Sequence, residues 1–317
     1  MQHIQVNVRI LGTDIQTREA LKVKARHKYV SYALNKTLLS VPGISCKEER
    51  RFNRTIECNG LQNFTVPGEL TSRYCNSRAC LVCSRSRSRM YMAKYLDTFN
   101  SFDDPQMLTL TFRSVPGSDL KSEVQAMVKN FQKSKDCLRK EKINIRGIRK
   151  LEVTYNDETN LYHPHYHILI DHYGNADRIR DRWHDQYKGR VSEDAQNIRP
   201  VDENGFKELF KYFAKIFKRS HTTGEIEFNA PSLVNILRSL EHKRIMQPFG
   251  LKAKIKENED IEEEQTDKIL FGIDKNVYLW EHEYNDWLGL GTGETLTGYE
   301  PTDAFKKFSN IFEYGKT

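Results

Sequence analysis

Residues 163–170 read His-Pro-His-Tyr-His-Ile-Leu-Ile, and this octet restricts the fold more than any other stretch of the chain. Tyr166 and the apolar run from Ile168 to Ile170 predict a β-strand. Side chains on a strand alternate between faces, so His163, His165 and His167 project from one side. A second strand-like run, residues 147–155, precedes it across the polar segment Asn156-Asp157-Glu158-Thr159-Asn160, which predicts an antiparallel hairpin. Centring the turn between Glu158 and Thr159 places Glu152 opposite His165. A slip of two residues places it opposite His167 on the same face; a slip of one turns Val153 and Tyr155 toward the histidines instead. Two imidazoles about 7 Å apart on one sheet face can share a divalent cation when a carboxylate arrives from the neighbouring strand. The expected metal group is Glu152, His165 and His167, with His163 as a substitute for one histidine. One carboxylate and two imidazoles suit Mg²⁺ or Mn²⁺ and do not exclude Zn²⁺. The plain alternative is a surface strand with incidental histidines.

The rest of the chain supplies a setting for this hairpin. With 317 residues there is room for two domains. A net charge of +7 favours an acidic partner, nucleic acid first, although an ordinary basic protein has the same balance. No apolar run approaches the ~20 residues that span a bilayer, and the first residues lack the regions of a signal peptide. A cytoplasmic protein with reduced cysteines and no membrane partner is therefore expected.

Along the chain, a strand-like start (Ile4, Val6, Val8, Ile10) leads into a basic helix through residues 22–39. Residues 90–99 resemble a short helix. MLTLTF at 107–112 is a strand with Leu108, Leu110 and Phe112 on one face. Ser118 is placed to cap a helix over 119–141, whose apolar stripe is Leu120, Val124, Met127, Val128 and Phe131. Trp183 falls on a helix after the histidine strand, residues 223–231 read as a connection, and 232–246 as a helix. The acidic run 257–267 reads as a solvated linker, and Trp280 and Trp287 stand in a tail that offers no nameable chemistry.

Residues 206–219 form a helix on the wheel. Phe206, Phe210, Phe213 and Phe217 share one side, while Glu208, Tyr212, Lys215 and Arg219 lie roughly opposite. A tyrosine needed for packing would join the phenylalanines, and Tyr212 does not. Its phenol, with an ordinary pKa of about 10, needs a nearby cation or an activated target to act as a nucleophile. A solvated amphipathic face explains the wheel equally well.

Cys75, Cys80 and Cys83 form C-x4-C-x2-C, with Cys58 upstream. Four thiols in a reduced compartment read as a tetrahedral structural zinc site. Cys46 is an alternative fourth ligand, an iron–sulfur cluster a poorer reading, and Cys137 a buried helix residue. Arg73, Arg78, Arg85, Arg87 and Arg89 surround the cluster and suit phosphate contacts.

The order of cysteine region (RYCNSRACLVCSRSRSR), LTLT strand, HPHYHILI and E-x3-Y-x2-K resembles the rolling-circle replication initiators of small bacterial plasmids, within the HUH endonuclease superfamily. FGLK at 249–252 is faintly similar to their C-terminal part, and the likeness covers roughly residues 55–255. The resemblance implies site-specific nicking of one strand at a plasmid origin, giving a 5′-phosphotyrosyl enzyme and a 3′-hydroxyl primer, with later rejoining or termination. Mapped onto this sequence it makes Tyr212 the nucleophile, His165 and His167 the metal pair with Glu152, Glu208 the activator of water at termination, and Lys215 a neighbour of the phosphate or the tyrosine. Single-stranded or hairpin origin DNA, host helicase and DNA polymerase are the implied partners, and a second copy of the chain is a candidate one. The expected architecture is α+β: a central antiparallel sheet flanked by helices (105–222), the tyrosine helix laid across it, an N-terminal region with the four-cysteine zinc module (1–104), and a C-terminal helical segment of unassigned role (223–317). The rival readings are a single-tyrosine HUH transposase and a non-catalytic, zinc-stapled DNA-binding protein.

Overall fold

The computed structural model of the chain describes residues 15–65, 69–187, 189–210, 218–219, 226–251, 277–303 and 305–306. In chain order the elements are α1 (Ile15–Ser40), α2 (Cys46–Glu57), β1 (Leu61–Thr65), β2 (Glu69–Ser72), α3 (Leu81–Asn100), β3 (Pro105–Thr111), α4 (Gly117–Lys140), β4 (Gly147–Asn156), β5 (Leu161–Asp171), α5 (Tyr173–Gln186), β6 (Asn197–Pro200), α6 (Glu203–Leu209), β7 (Lys218–Arg219), β8 (Ile226–Glu227), α7 (Ala230–Ser239), β9 (Met246–Phe249), β10 (Val277–Glu281) and β11 (Asp286–Gly289). The fold is α+β with antiparallel sheets. Two compact units emerge: one takes in Met1–Arg87, Phe217–Ala230 and Glu257–Thr317, the other Ser88–Ile216 and Pro231–Lys256.

The second unit is organised by a five-stranded sheet in the order β6-β3-β5-β4-β9. Alternation along β5 sends Tyr166, Ile168 and Ile170 to one face, where α4 and α5 cover them with Leu120, Val124, Met127, Phe131, Ile179 and Trp183, all buried. Val128 of the expected stripe is only partly buried, at the edge of that contact. The other face carries Met107, Ile148 and Leu169 in one hydrogen-bonded row, and Tyr95, Phe99, Phe206, Leu209 and Phe210 pack on it. The Phe99 and Phe206 rings stack at 4.6 Å.

The first unit is built on α1, whose Leu21, Ala25, Tyr29, Ala33, Leu34 and Leu38 are buried, together with Phe52 of α2. Ser45 and Glu48 form a reciprocal capping box that starts α2 sharply. A second sheet in the order β11-β10-β1-β2 joins the first two strands of the chain to its last two.

Several local expectations are corrected. Helix α4 begins at Gly117 behind an extended Pro116, with no side-chain cap; Ser118 donates to Asp119 instead. Gly117 fits there because an added Cβ would lie 2.5 Å from the Asn235 amide. The helix expected over 206–219 starts earlier, at Glu203 behind the Asp202 cap, and ends at Leu209. Residues 218–219 are a strand, because pairing with Ile226–Glu227 competes with helical continuation. Helix α7 stops at Ser239, and Met246 is recruited into the sheet as the first residue of β9. Within 223–317 the described residues hold α7, the four short strands β8 to β11 and helical residues at 303 and 305–306. The N-terminal strand-like start, residues 257–267, Tyr212 and Lys215 lie outside the described residues.

Candidate functional site

The β4–β5 hairpin has the register expected from its turn, with Glu152 paired to His165 and Lys150 paired to His167. The neighbouring strand extends these rows, since Thr111 pairs with His165 and Thr109 with His167. One sheet face therefore presents an apolar row (Met107, Leu169, Ile148), then a row of Thr109, His167 and Lys150, then one of Thr111, His165 and Glu152. The ligand atoms of Glu152, His165 and His167 lie within 4.8 Å of one another.

The two oxygens of Glu152 are differentiated. Oε1 accepts from the buried Lys150 ammonium, while Oε2 stands 3.3 Å from His165 Nε2 and 3.6 Å from His167 Nε2. Burial by itself would raise this carboxyl, but hydrogen bonds from His165 and His167 and the charge of Lys150 hold it below the usual carboxylate range. His165 Nδ1–H donates to the His163 carbonyl at 3.1 Å, and His167 Nδ1 meets Thr109 Oγ1 at 3.3 Å. A cation at the carboxylate would take the Nε2 lone pairs in place of the hydrogen bonds to Glu152, with the His165 proton held at Nδ1 by the His163 carbonyl and Thr109 Oγ1 able to accept from His167 Nδ1. The His167 side chain is 33% exposed, so the group opens to solvent.

His163 stays out of the group. It pairs with Thr154, its ring lies 5.4 Å from that of His165, and its Nδ1 meets Ser114 Oγ at 3.3 Å. Lys150 and Thr109 were not anticipated, although strand alternation carries the signal for both: Lys150 is two residues from Glu152, and Thr109 stands between Leu108 and Leu110 and so on the opposite face.

Helix α6 reaches the same side of the sheet. Phe206, Leu209 and Phe210 pack against Met107, Ile148 and Leu169, the row adjoining His167, and Ser88 Oγ donates to the Phe210 carbonyl. Glu208 is on the exposed side of α6. The other predicted members of this segment, Tyr212 and Lys215, lie outside the described residues.

A second group lies in the first unit. The Sγ atoms of Cys58, Cys75, Cys80 and Cys83 are within 4.8 Å of one another and all four residues are buried. Backbone N–H groups donate to three of the sulfurs: Cys75 N to Cys58 Sγ (3.3 Å), Ser77 N to Cys75 Sγ (3.4 Å) and Cys83 N to Cys80 Sγ (3.4 Å). Such donors favour thiolate over thiol. Burial, with the neighbouring thiols, holds Cys80 well above the usual thiol range, whereas bonds from the other three thiols pull Cys75 far below it. Four crowded sulfurs cannot all ionise unless a cation joins them, and as ligands they fit one tetrahedral metal ion. Cys46 is exposed at the start of α2, away from this group, so the fourth member is Cys58; Cys137 is partly buried.

A third cluster, Asp103, Asp171 and His172, is already satisfied. Arg146 donates twice to Asp171, and the Asp103 and Asp104 amides donate to its other oxygen.

Comparison with known proteins places these features in context. A family model described as "Replication protein" matches residues 70–287. A "Protein rep" from Bacillus sp. is 33% identical over 134 residues, covering 40% of this chain and 41% of the relative. A "Protein rep" from Staphylococcus aureus is 26% identical over 189 residues, covering 51% of this chain and 80% of that relative. The chain spans 41%, 32% and 37% of the length of its Bacillus sp., Streptococcus pneumoniae and Bacillus amyloliquefaciens relatives. No solved structure matches the chain. Among the described residues no helix is long and apolar enough to cross a membrane.

Proposed function

Because the chain belongs to the replication protein family, we propose that it initiates rolling-circle replication by nicking one strand of a plasmid origin. The observation that carries this reading is the row structure of the hairpin, which aims Glu152 Oε2 and two imidazole Nε2 atoms at a common point on an open sheet face.

Tyr212 is the nucleophile. Its phenolic oxygen forms a bond to the scissile phosphorus while the bond from phosphorus to the 3′ oxygen breaks. The phenolic proton is lost and the 3′ oxygen leaves as a hydroxyl that primes host polymerase. Glu152, His165 and His167 would hold Mg²⁺ or Mn²⁺, and a bound divalent cation supplies polarisation of the phosphate and neutralisation of developing charge. Glu208 acts at termination, taking a proton from the water that opens the phosphotyrosine. Lys215 stands beside the phosphate or the tyrosine. The cysteine group holds Zn²⁺ as a staple, and nearby arginines contact backbone phosphates. Host helicase is a further partner.

The test is direct: incubate the protein with labelled single-stranded origin DNA and Mn²⁺, then look for a covalent adduct on a denaturing gel. An adduct on the 5′-phosphate end created at one discrete break supports the proposal. Binding without an adduct on any origin strand would leave only a zinc-stapled binding protein, and adducts on transposon ends alone would indicate a transposase.

Lys150 carries a separate expectation. Its ammonium offsets the Glu152 charge, so a loaded site would face the phosphate with a net charge of about +2 rather than +1. Lys150→Met should retain Mn²⁺ binding, followed by electron paramagnetic resonance, yet slow nicking roughly 10²-fold, the usual cost of one electrostatic donor to a transition state. Unchanged nicking would remove Lys150 from the reaction.

A further inference from the structure

Two lysines of α1 approach the cysteine group from one helical face. Lys28 is buried, and its Nζ donates to the Cys58 carbonyl at 2.7 Å and the Ile56 carbonyl at 3.3 Å. Lys24, partly buried, donates to Gln62 Oε1 at 2.9 Å. Aromatic rings cover both: Trp280 lies 5.2 Å from Lys28 Nζ, and Tyr74 and Trp287 lie 5.5 and 6.0 Å from Lys24 Nζ. Among the described residues neither ammonium forms an ion pair with a carboxylate.

This arrangement is unfavourable unless an anion faces it. Like charges at i and i+4 repel along a helix, and cations taken out of water need counter-charge as well as hydrogen bonds. Carbonyl and amide oxygens satisfy the donors and leave the charge, and the one nearby carboxylate acting on Lys28 among the described residues is the exposed Glu57. Four neutral thiols would also leave it. Four thiolates around a divalent ion carry a net charge of about −2, which matches two ammonium groups; a trivalent ion would leave about −1.

We infer that Lys24 and Lys28 are the counter-ions of a divalent tetrathiolate centre formed by Cys58, Cys75, Cys80 and Cys83. The two lysines thereby tie α1 to the metal-loaded cysteine group. The β10–β11 strands close the arrangement: Trp287 Nε1 donates to the Asn59 carbonyl at 2.7 Å, Trp280 N donates to the Gly60 carbonyl at 2.7 Å, and their rings keep water from the ammonium groups. This role of α1 and of the last strands rests on the metal reading of the cysteines and is independent of the nicking site.

The experiment uses the full chain and two probe metals. Co²⁺ reports a tetrathiolate centre through its sulfur-to-metal charge-transfer band, and iron in the same site reports local charge through its reduction potential. In Lys24→Met, and more strongly in Lys24→Met/Lys28→Met, Co²⁺ affinity measured against a chelator should fall at least about tenfold per lysine, the scale of a lost metal-supporting neighbour. The iron potential should move negative, because the lysines favour the more negatively charged reduced centre. A side chain that merely packs would not shift the potential in that direction. Unchanged affinity and potential in Lys24→Met overturn the proposal, and this single variant decides the matter if the double variant does not fold. A wild-type chain that takes up no Co²⁺ overturns it at its root, along with the metal reading of the cysteines.

Discussion

Tyr212→Phe is expected to abolish strand cleavage and the covalent adduct together, whereas Glu208→Ala should leave the first nick intact and impair termination. The substitution at 212 removes one oxygen and little else, so folding and metal uptake should persist. Loss of a nucleophile typically costs at least about 10⁴-fold in rate, with only binding and electrostatic contributions left. The physical case for this tyrosine comes from the elements that precede it. Phe206 and Phe210 are buried on the sheet face that carries His165 and His167, in the row adjoining His167. Tyr212 follows Phe210 by two residues, a chain reach of roughly 7 Å. Glu208 lies on the exposed side of α6, four residues before the tyrosine. Termination needs a base for water rather than a second nucleophile, and a carboxylate at that spacing provides one. End-labelled origin strands resolved on denaturing gels measure nicking, and the yield of released circles measures termination. Equal loss of both steps in Glu208→Ala would contradict the separation of roles.

The hairpin was legible because two strong constraints act on neighbouring residues. Alternation fixes faces, and a short polar turn fixes register, so Glu152 could be set against His165 before any coordinates. The cysteine group was legible from spacing, yet spacing could not separate Cys58 from Cys46. That choice is made by tertiary structure: Cys58 closes α2 at its buried end, while Cys46 opens the helix at its exposed end. Lys150 escaped notice because a lysine on a strand is ordinarily a solvated edge residue, and its burial comes from β9, which pairs Met246 beside it. The joining of β10 to β1 brings residues 61–63 and 277–279 together, a pairing with no local signature. It gives Trp280 and Trp287 their place over the lysines of α1. The wheel over 206–219 overran for a related reason, since helical periodicity contains nothing about the competing strand at 226–227.

Cys83→Ser should carry the largest effect on stability. A serine hydroxyl is a poor ligand where a thiolate is required, and a group reduced to three sulfurs loses the closed tetrahedral set that makes a structural site inert. Structural metal sites contribute on the order of 10 kcal/mol of apparent folding free energy near neutral pH, comparable to the whole net stability of a domain. The consequence extends beyond the cysteine loop, because Asn59 and Gly60 accept from Trp287 and Trp280, and Lys28 holds the Cys58 carbonyl. Loss of the metal should therefore expose residues 58–83 and 277–289 to limited proteolysis together, and a strong chelator acting on the unmutated chain should reproduce the same cleavage pattern. Zinc content by mass spectrometry should fall to zero in parallel. Cys46→Ser is the matched control, since Cys46 is exposed and outside the group, and it should change neither readout. The Glu152, His165 and His167 group draws every partner described here from the second unit, so its Mn²⁺ binding should survive in Cys83→Ser. Full zinc content with an unchanged proteolytic pattern in Cys83→Ser would remove the structural role of the cysteines and leave the four buried thiols as ordinary core.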